Sequence, residues 1–309
     1  MLAWRHDFAY QGPRGECRVP RSFIFVIGLI AHTEKTEAAE QVRAMISALE
    51  EKNVRFLLEK STAELVGALS DLDERALARQ CDLLVVMGGD GTILRVVHKI
   101  GEDIKPIFGI NIGSLGFLTC AAATEIPRAV ESITRQDYIL SQRSLLLTEL
   151  ISSGGKIRRM FGLNDVVISR GERSQLVKLR VKIDGAELTD YNADGLIIAT
   201  PTGSTAYSLS AGGPILMPES GGFVITPICP HVLTNRSTVV SDRSVITSEL
   251  IVAEHSVFVT VDGQGNHAMH LGDTLRISQS DRTLPLVMLP EKLFPEVLRQ
   301  KLKWSGSNV

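Results

Sequence analysis

Apolar and polar residues follow two different patterns along this chain, and the change between them falls near residue 138. Up to about residue 136, short apolar runs alternate with segments in which apolar residues recur every three or four positions. The first pattern predicts buried strands and the second predicts amphipathic helices. Strands that alternate with helices predict a parallel sheet covered by helices, so residues 21–137 are expected to form a Rossmann-like α/β domain.

The predicted elements of this first part follow directly from the spacing of apolar residues. In the segment 34–51, for example, Val42, Met45 and Leu49 lie on one helical face. Strands are predicted at residues 22–30, 54–58, 82–87 and 106–112, and helices at 34–51, 63–69, 92–101 and 124–134.

From residue 138 onward the pattern becomes β-rich. Two Asp-Gly pairs, Asp184-Gly185 and Asp262-Gly263, are hairpin signals, because both central positions of a tight hairpin turn require positive φ. We therefore predict an all-β, antiparallel and sandwich-like domain over residues 138–287. Its predicted strands cover residues 145–151, 165–169, 176–183, 196–200, 223–227, 245–252, 257–261 and 274–279.

Both ends of the chain depart from these patterns. Residues 1–20 mix charged residues with Gly and Pro, and we expect a flexible extension there rather than a secretion signal. Residues 290–304 predict a short amphipathic helix, in a segment 288–309 that we expect to pack back on the first domain. No apolar run reaches the ~18 residues of a membrane span, so no membrane partner is expected.

Composition narrows the classes of partner. The 309 residues carry 33 Lys and Arg against 35 Asp and Glu, a formal net charge of −2, so there is no overall basic field for nucleic acid. The cysteines have no paired spacing, and neither a zinc site nor a disulfide framework is expected from Cys17, Cys81, Cys120 and Cys229. Scattered thiols are typical of a reducing compartment, and we predict a cytoplasmic location.

The sequence Gly88-Gly89-Asp90-Gly91-Thr92 carries the clearest chemical signal. It lies between a predicted strand and a predicted helix, the position at which open α/β sheets bind ligands. Glycines there let a phosphate approach the backbone and the amide end of the helix. A carboxylate beside phosphate suggests a metal ion or a proton-transfer role, and hence phosphoryl chemistry. The alternative is that Asp90 only caps a helix in an ordinary glycine turn.

A second block, Asp194 to Pro214, runs from a buried-type strand into a hydroxyl-rich cluster and a helix-like segment at 206–211. Hydroxyls and free amides at such a junction suit recognition of ribose and phosphate, and Tyr207 adds a ring that can stack on a base. The alternative is a helix N-cap, which accounts for only one or two of the hydroxyls of Thr202, Ser204, Thr205, Ser208 and Ser210.

Two smaller features add polar groups. Asn164-Asp165 precedes an apolar strand and offers an amide and a carboxylate, although such a pair is also a common turn before a strand. The segment from Gly109 to Thr119 is a strand end followed by a glycine loop, in which Phe117 is either the wall of a base pocket or part of the core.

Other sites are excluded by their spacing. Gly154-Gly155-Lys156 lacks the Ser or Thr and the upstream glycine of a Walker A loop. Gly263-Gln264-Gly265 lies between strands and lacks the third glycine and the helix of a dinucleotide fingerprint. His267 and His270 point to opposite faces of a strand, so no protein metal site is predicted.

Taken together, these blocks resemble the NAD kinase family in its bacterial form, over nearly the whole chain. The most discriminating parts are Thr200 to Pro214 and Pro227-Ile228-Cys229-Pro230-His231. The Gly-Gly-Asp-Gly turn alone is shared with diacylglycerol, sphingosine and 6-phosphofructo-kinases. The chain departs from the family where Asp165 replaces the usual Glu, Ile112 the usual Thr and Ser237 the usual Pro.

The resemblance implies roles for individual residues. Asp90 corresponds to the catalytic proton acceptor, and Gly88, Gly89, Gly91 and Thr92 correspond to a loop that holds ATP phosphates. The residues that correspond to NAD-binding positions are Asp90, Gly91, Arg95, Phe117, Asn164, Asp165, Asp194, Thr205, Ala206, Tyr207, Ser208, Leu209, Ser210 and Gln264.

The resemblance also implies the reaction. An NAD kinase is a phosphotransferase that moves the γ-phosphate of ATP to the 2′-hydroxyl of the adenosine ribose of NAD and so makes NADP. Mg²⁺ bound with ATP is expected, as is a homodimer or homotetramer built through the β-rich domain. Two rival functions stay open: a non-catalytic NAD(P) sensor, which needs no Asp90, and a lipid or sugar kinase, which needs no Thr205-to-Ser210 block.

Overall fold

The structure, a computed structural model, describes residues 25–113, 116–171, 176–232, 234–253, 256–292 and 294–304. The chain divides into two compact units, of which unit 1 holds Met1–Gln142 and Leu284–Val309, and unit 2 holds Arg143–Thr283. These limits lie a few residues from the predicted domain boundaries, because the chain passes between the units inside two long strands. The predicted extension at residues 1–20 lies outside the described residues.

Unit 1 is built on a parallel sheet. Its strands are β1 (Val26–Ala31), β2 (Arg55–Leu58), β3 (Leu83–Gly88), β4 (Ile107–Asn111) and β5 (Ala121–Ala122). Strand β1 lies between β2 and β3, β3 pairs with β4, β4 pairs with β5, and all of these pairs are parallel. The central strand β3 is buried along its whole length, as expected of a parallel sheet covered on both faces.

The helices of unit 1 alternate with these strands. On the first helix, Val42, Met45 and Leu49 are buried, as their spacing predicts. The helices are α1 (Ala38–Glu51), α2 (Lys60–Val66), α3 (Glu74–Gln80), α4 (Asp90–Ile100) and α5 (Ile126–Arg135).

Two of these helices differ from the prediction for reasons of capping. The helix predicted at 63–69 is misplaced, because α2 begins at Lys60. The Glu59 side chain caps its first turn, and Gly67 ends it with a φ of 78°. The apolar pattern predicts no helix at α3. That helix begins where the Asp73 carboxylate accepts the Ala76 backbone N–H at 2.7 Å, a local signal that periodicity does not detect.

Unit 2 is a sandwich of two antiparallel sheets. Its strands are β6 (Ile139–Ile151, which begins in unit 1), β7 (Ile157–Gly162), β8 (Asp165–Arg170), β9 (Val177–Ile183), β10 (Ala186–Ala193), β11 (Gly195–Ala199), β12 (Gly222–Ile228), β13 (Thr238–Ser241), β14 (Ile246–Val252), β15 (Val257–Val261), β16 (Gln264–Met269) and β17 (Thr274–Met288, which ends in unit 1). One sheet has the order β13-β12-β11-β8-β15-β16, and the other includes β10-β9-β14-β17.

Apolar side chains from the two sheets share one core. Ile168 and Ile198 from the first sheet lie in the same buried cluster as Leu179 and Ile277 from the second. The alternation of buried and exposed residues along strands such as β9 follows from this arrangement, since each sheet turns one face to the core. The parallel sheet of unit 1 and the sandwich of unit 2 confirm the predicted fold class.

Both predicted Asp-Gly hairpin turns are confirmed. Asp184 and Gly185 join β9 to β10 with φ of 51° and 84°, and Asp262 and Gly263 join β15 to β16 with φ of 51° and 68°. Positive φ at both central residues is the requirement of a type I′ hairpin. The strands that these turns add, β10 and β16, are largely polar, which is why apolar runs alone do not predict them.

The last described element is α7 (Phe294–Lys301), which is shorter than the helix predicted at 290–304. It belongs to unit 1, where the ring of Phe294 packs against that of Phe117 with centroids 6.1 Å apart. Across the described ranges, no helix is long and apolar enough to cross a membrane. Three of the four cysteines, Cys81, Cys120 and Cys229, are free thiols, and Cys17 lies outside the described residues.

Candidate functional site

The carboxyl ends of three parallel strands in unit 1 meet at one edge of its sheet. Ala31 of β1 is paired with Met87 of β3, and Gly88 of β3 is paired with Asn111 of β4. The loops that follow these strands therefore begin side by side. They include the Gly88-to-Thr92 turn and the glycine loop after β4, at the edge where α/β sheets bind ligands.

Asp90 is the first residue of α4, and its carboxylate is held by the loop that follows β4. Its Oδ2 accepts the Phe117 backbone N–H at 2.8 Å and its Oδ1 accepts that of Leu118 at 3.0 Å. Gly116 permits this approach, since a Cβ there would lie 1.9 Å from Oδ1. The helix-cap interpretation of Asp90 is wrong, because Gly89 occupies the N-cap position and the Asp90 side chain bonds to another loop.

Gly89 and Gly91 flank Asp90 in open space. A Cβ at either position would meet no described atom within 4 Å, and neither residue has a positive φ. Within the described chain, then, neither backbone conformation nor packing requires glycine here. The first N–H groups of an α-helix also have no acceptor inside it, so this end of α4 offers both room and donors to an anion.

Two further residues of the predicted site have partners within unit 1. Thr92 is buried, and its Oγ1 accepts the Gly89 backbone N–H at 3.3 Å, which closes the first turn of α4. Arg95 lies one turn further on, but its guanidinium is 2.8 Å from the Glu74 carboxylate of α3. A phosphate contact by Arg95 would therefore compete with this ion pair.

The loop after β4 also brings an aromatic and a cation to this edge. Phe117 is half-buried against Phe294, and the Lys301 ammonium lies 5.9 Å from its ring centroid. Lys35, in the loop after β1, donates from its ammonium to the Ile112 carbonyl. No sequence motif marks Lys35 as a site residue, and only the pairing of the strands places it here.

In unit 2, Asn164 and Asp165 lie at the turn between β7 and β8, whose backbone is held on both sides. On one side, the Asp262 carboxylate accepts the backbone N–H groups of Leu163, Asn164 and Asp165 at 2.7, 2.7 and 3.0 Å. On the other side, Thr200 donates its hydroxyl to the Leu163 carbonyl at 2.6 Å and its backbone N–H to the Asn164 carbonyl at 2.8 Å.

The side chains of Asn164 and Asp165, in contrast, do not take part in this hydrogen bonding. Neither the Asn164 amide nor the Asp165 carboxyl makes a hydrogen bond to another described residue. Asp165 is only 5% exposed, and buried polar groups are nearly always hydrogen-bonded. Burial, and then the charge of Asp262, raise the pKa of Asp165 to about 7. The pair therefore offers an amide and a titratable carboxyl to a ligand.

The hydroxyl-rich segment after β11 uses several of its hydroxyls to fold itself. The Ser204 hydroxyl donates to the Pro201 carbonyl at 2.6 Å, and the buried Ser208 hydroxyl lies 2.9 Å from that of Thr226. The segment forms a 3₁₀ turn (Gly203–Thr205) and the single-turn helix α6 (Tyr207–Ser210), shorter than the predicted 206–211. The fold of the unit itself thus uses the hydroxyls of Ser204, Thr205 and Ser208, which is more than the one or two that a helix N-cap accounts for.

This segment lies directly against the Asn164 turn. A Cβ on Gly203 would be 2.0 Å from the Asn164 carbonyl oxygen, so only glycine allows the contact. Tyr207 is 47% exposed, and its hydroxyl makes no hydrogen bond to a described residue. Of the predicted NAD-binding run Thr205 to Ser210, Tyr207 is thus open to a ligand, whereas the hydroxyl of Ser208 is bonded within the unit.

The two other predicted residues of unit 2 lie on separate strands. Asp194, just before β11, forms an ion pair with Arg170 of β8, with 2.7 Å between Oδ1 and Nε. Gln264 is the first residue of β16 and directly follows the Asp262-Gly263 turn. No group of three or more His, Cys, Asp or Glu side chains in the described ranges is arranged to hold a metal ion.

Asp262 is a further residue at the Asn164 turn that no sequence motif marks as functional. Its pair with Gly263 predicts a hairpin, and the hairpin is sufficient to explain both residues, so nothing in the sequence points to a further role. The signal is its contact with Asn164, which joins residues 98 positions apart and exists only in the folded unit.

Two family models match the chain. The model of the ATP-NAD kinase N-terminal domain matches residues 27–138, and the model of the ATP-NAD kinase C-terminal domain matches residues 163–289. The first match includes the Gly88-to-Thr92 turn, and the second includes the Asn164-Asp165 pair and the block from Asp194 to Pro214.

Curated relatives and solved structures agree with these matches. The NAD kinase of Geotalea daltonii is 45% identical over 248 residues (80% of this chain, 87% of the relative), and that of Syntrophotalea carbinolica is 41% identical over 280 residues (90% and 98%). A crystal structure of yeast NADH kinase complexed with NADH is similar with a TM-score of 0.85 and 27% identity, covering 92% of this chain and 89% of its own. A crystal structure of an NAD kinase from Archaeoglobus fulgidus in complex with ATP has the same fold, with a TM-score of 0.72, 24% identity and coverage of 91% and 100%.

Proposed function

The chain belongs to the ATP-NAD kinase family and is a phosphotransferase that phosphorylates NAD, and from this premise we propose which residues carry the reaction. Asp90 accepts the proton of the ribose 2′-hydroxyl, the Gly88-to-Thr92 turn binds the ATP phosphates, and Asn164, Asp165 and Tyr207 bind NAD. The observation that carries this proposal is the position of Asp90 between two glycines that the described chain itself does not require.

The phosphate side of the proposal rests on unit 1. Phosphoryl transfer depends on in-line alignment and on neutralising charge, more than on covalent chemistry by the protein. The free amides of α4 and the Lys35 ammonium supply positive charge at the sheet edge where Asp90 lies. Each Asp90 oxygen accepts one backbone N–H and keeps a further lone pair, so the carboxylate can still accept a hydroxyl proton.

The NAD side rests on unit 2. A carboxylate accepts hydrogen bonds from ribose hydroxyls, and an amide both donates and accepts, so Asn164 and Asp165 together suit a sugar. Their backbone is already ordered by Asp262 and Thr200, so little conformational entropy is lost when a ligand engages the side chains. The Asp165 side chain is one methylene shorter than that of the Glu usual in the family. Its buried carboxyl group therefore lies closer to the backbone that Asp262 holds.

We also propose that Mg²⁺ enters with ATP as part of the substrate. Mg²⁺ keeps several waters and binds through one or two carboxylates together with substrate phosphates, rather than in an all-protein cage. The donor set fits this mode, because Asp90 stands alone beside the phosphate loop and the described residues contain no larger acidic or histidine cluster. The cation would neutralise phosphate charge, while Asp90 would hold the hydroxyl proton.

The activity is tested by a substrate panel on the purified full chain. We expect ATP-, Mg²⁺- and time-dependent formation of NADP from NAD, with no product from a diacylglycerol or from fructose 6-phosphate, and loss of activity with EDTA. Parallel assays with NADH and with polyphosphate measure acceptor and donor choice, and light scattering on the same sample measures the predicted homo-oligomer. Calorimetric binding of NAD without any NADP formation would instead support a sensor.

Replacing Gly91 with Ala tests the phosphate loop separately from the fold. An added Cβ meets no described atom within 4 Å, so the fold should tolerate the variant. The free energy of unfolding should be unchanged or should rise by up to about 1 kcal/mol, because Ala has a higher helix propensity than Gly. A bound phosphate would meet the new methyl group, so the KM for ATP should rise about tenfold or more, equivalent to ~1.4 kcal/mol.

Gly154→Ala is the matched control for this variant. Gly154 is also exposed and without close neighbours, but it lies in the turn between β6 and β7 of unit 2. We expect no change in the KM for either substrate. An unchanged KM for ATP in Gly91→Ala would contradict the proposed phosphate loop.

A further inference from the structure

The Asp262 carboxylate has no role in the proposed reaction, yet it lies against the residues proposed to bind NAD. We propose that Asp262 is a positioning residue, which fixes the backbone of Asn164 and Asp165 in the arrangement that binds NAD. This inference rests on the proposed function of that pair. It assigns to Asp262 an effect on NAD binding that is transmitted through the backbone, without contact between Asp262 and NAD.

Three successive backbone N–H groups converge on this single carboxylate. Oδ2 accepts the Leu163 N–H, and Oδ1 accepts those of Asn164 and Asp165. Such a concavity of backbone donors binds anions, and hydrogen bonds to an ionised acceptor are roughly twice as strong as neutral ones. In return, the Asp262 backbone N–H donates to the Asp165 carbonyl at 2.9 Å. The two segments therefore fix each other's peptide planes.

The carboxylate is delivered by a rigid element. Asp262 follows directly after β15, and Val261 of that strand is paired with Val166 of β8, next to Asp165. The type I′ turn sets Asp262 at a φ of 51°, a conformation that Asp tolerates better than most residues. A group held by a hairpin in this way positions its partners more precisely than one on a long loop.

The packing around the turn leaves the carboxylate little freedom. A Cβ on Gly162, at the end of β7, would lie 2.6 Å from Val261 Cγ1 and 3.3 Å from Asp262 Oδ1. Glycine at this position lets the two strands approach until the carboxylate meets all three donors. The close approach indicates that the contact is built into the fold of unit 2.

The consequence for NAD binding follows from a division of roles within the Asn164 turn. Asp262 holds the backbone N–H groups, and Thr200 holds the carbonyls of Leu163 and Asn164. The Cα–Cβ bonds of Asn164 and Asp165 therefore keep their directions as long as these hydrogen bonds are intact. A displacement of about 1 Å in a positioning group can cost on the order of 10²-fold in rate. Without Asp262, the Asn164 amide and the Asp165 carboxyl should still be present, but their backbone should no longer be held in the arrangement that binds NAD.

The test compares two Asp-Gly hairpins of unit 2. Asp262→Ala should lower kcat/KM for NAD by about 10- to 100-fold, and should change the KM for ATP much less. Asp184→Ala is the matched control, because Asp184 has the same φ of 51° and caps a backbone N–H, that of Val245 at 2.8 Å, on a different turn. It should cost less thermal stability, because it leaves one backbone N–H without its acceptor where Asp262→Ala leaves three, and it should leave the KM for NAD unchanged.

Asp262→Asn serves as the conservative variant. Asn tolerates the same positive φ and keeps one oxygen acceptor, but its amino group cannot accept an N–H, so the loss of kcat/KM for NAD should be intermediate. If Asp262→Ala does not fold, Asp262→Asn decides: a KM for NAD equal to that of the unmodified chain would overturn the proposal.

Asn164→Ala separates this inference from the proposed function. Suppose that Asn164→Ala raises the KM for NAD, while Asp262→Ala leaves it unchanged, as Asp184→Ala does. The positioning role of Asp262 is then refuted, and the NAD-binding role of Asn164 and Asp165 stands. If Asn164→Ala itself leaves the KM for NAD unchanged, the proposed function of the pair fails first. A selective rise in the KM for NAD in both variants, with the control unaffected, supports both.

Discussion

Replacement of Asp90 by Asn is expected to lower kcat by about 10²- to 10⁴-fold while NAD still binds. The amide that replaces the carboxylate cannot accept the proton of the ribose hydroxyl, so the loss should appear in turnover rather than in affinity. Steady-state kcat, together with the calorimetric dissociation constant for NAD, measures both quantities. Near-normal turnover by this variant would refute Asp90 as the proton acceptor.

The structure shows why this experiment needs a control. The Asp90 carboxylate also holds the loop after β4 through Phe117 and Leu118, and an Asn side chain can accept only one of these two N–H groups. Thr119→Val is the control, because it removes a bond of the same loop, from the Gly116 backbone N–H to the Thr119 hydroxyl at 3.0 Å, and leaves the carboxylate of Asp90 with both of its donors.

Comparison of the two variants separates proton transfer from loop structure. We expect Thr119→Val to lower thermal stability and to raise the KM values, with kcat at saturating substrate reduced far less than in Asp90→Asn, because the proton acceptor stays in place. An equal loss of kcat in both variants would assign the effect to the loop. In that case the catalytic role of Asp90 would have to be abandoned.

Replacement of Asp165 by Asn is expected to stabilise the protein at pH 8. Burial, and then the charge of Asp262, raise the pKa of the Asp165 carboxyl from 3.8 to about 7, so ionisation of this group is unfavourable in the folded state. Above pH 7, this shift corresponds to an increase of at most about 4 kcal/mol in the free energy of unfolding of the Asn variant, and the measured increase should be smaller. Asn loses no hydrogen bond to a described residue, since the carboxyl makes none.

The sign of the pH dependence follows from the direction of this shift. Because the folded-state pKa lies above the unfolded value, the contribution of Asp165 to stability is fully present below about pH 4 and is lost as the pH rises through about 7. The difference in unfolding free energy between Asp165→Asn and the unmodified chain should therefore be near zero at pH 4 and largest at pH 8. Urea denaturation at both pH values measures it.

Glu187→Gln provides the matched control in the same unit. It makes the same acid-to-amide change at an exposed position of β10, where the effect should stay within about 0.5 kcal/mol at either pH. A pH-independent difference for Asp165→Asn would contradict an unfavourable buried charge. Asp165→Asn should also bind NAD more weakly, because it removes the carboxyl proposed to bind NAD. Functional sites commonly keep groups that reduce stability.

Much of the fold could be predicted because its causes are local. The apolar spacing of Val42, Met45 and Leu49 indicates a helix face whatever lies beside it, and the Asp-Gly pairs at 184 and 262 require their own turn. The errors are also local in origin. Helix α2 is displaced from its predicted position by the Glu59 cap and the Gly67 stop, which hydrophobic periodicity does not register.

The site could be predicted only in part. Asp90 lies at the predicted junction of strand and helix, since the glycine turn and the flanking apolar runs are adjacent in sequence. The hydroxyls of Ser204 and Ser208 suggest a ligand when counted in the sequence, but in the folded unit they bond to Pro201 and Thr226. Counting polar groups does not reveal which of them the fold itself consumes.

The amino-acid sequence is sufficient to predict the alternation of strands and helices, the sandwich-like second half and the chemical character of the Gly88-to-Thr92 turn, because each depends on residues close together in the chain. Which polar groups remain available to a ligand depends instead on the tertiary structure. It assigned Asp90 to the loop of Phe117 and Leu118 and assigned Asp262 to the Asn164 turn 98 positions away. Such contacts depend on strand pairing and on close approaches at glycine, which appear only after the chain has folded.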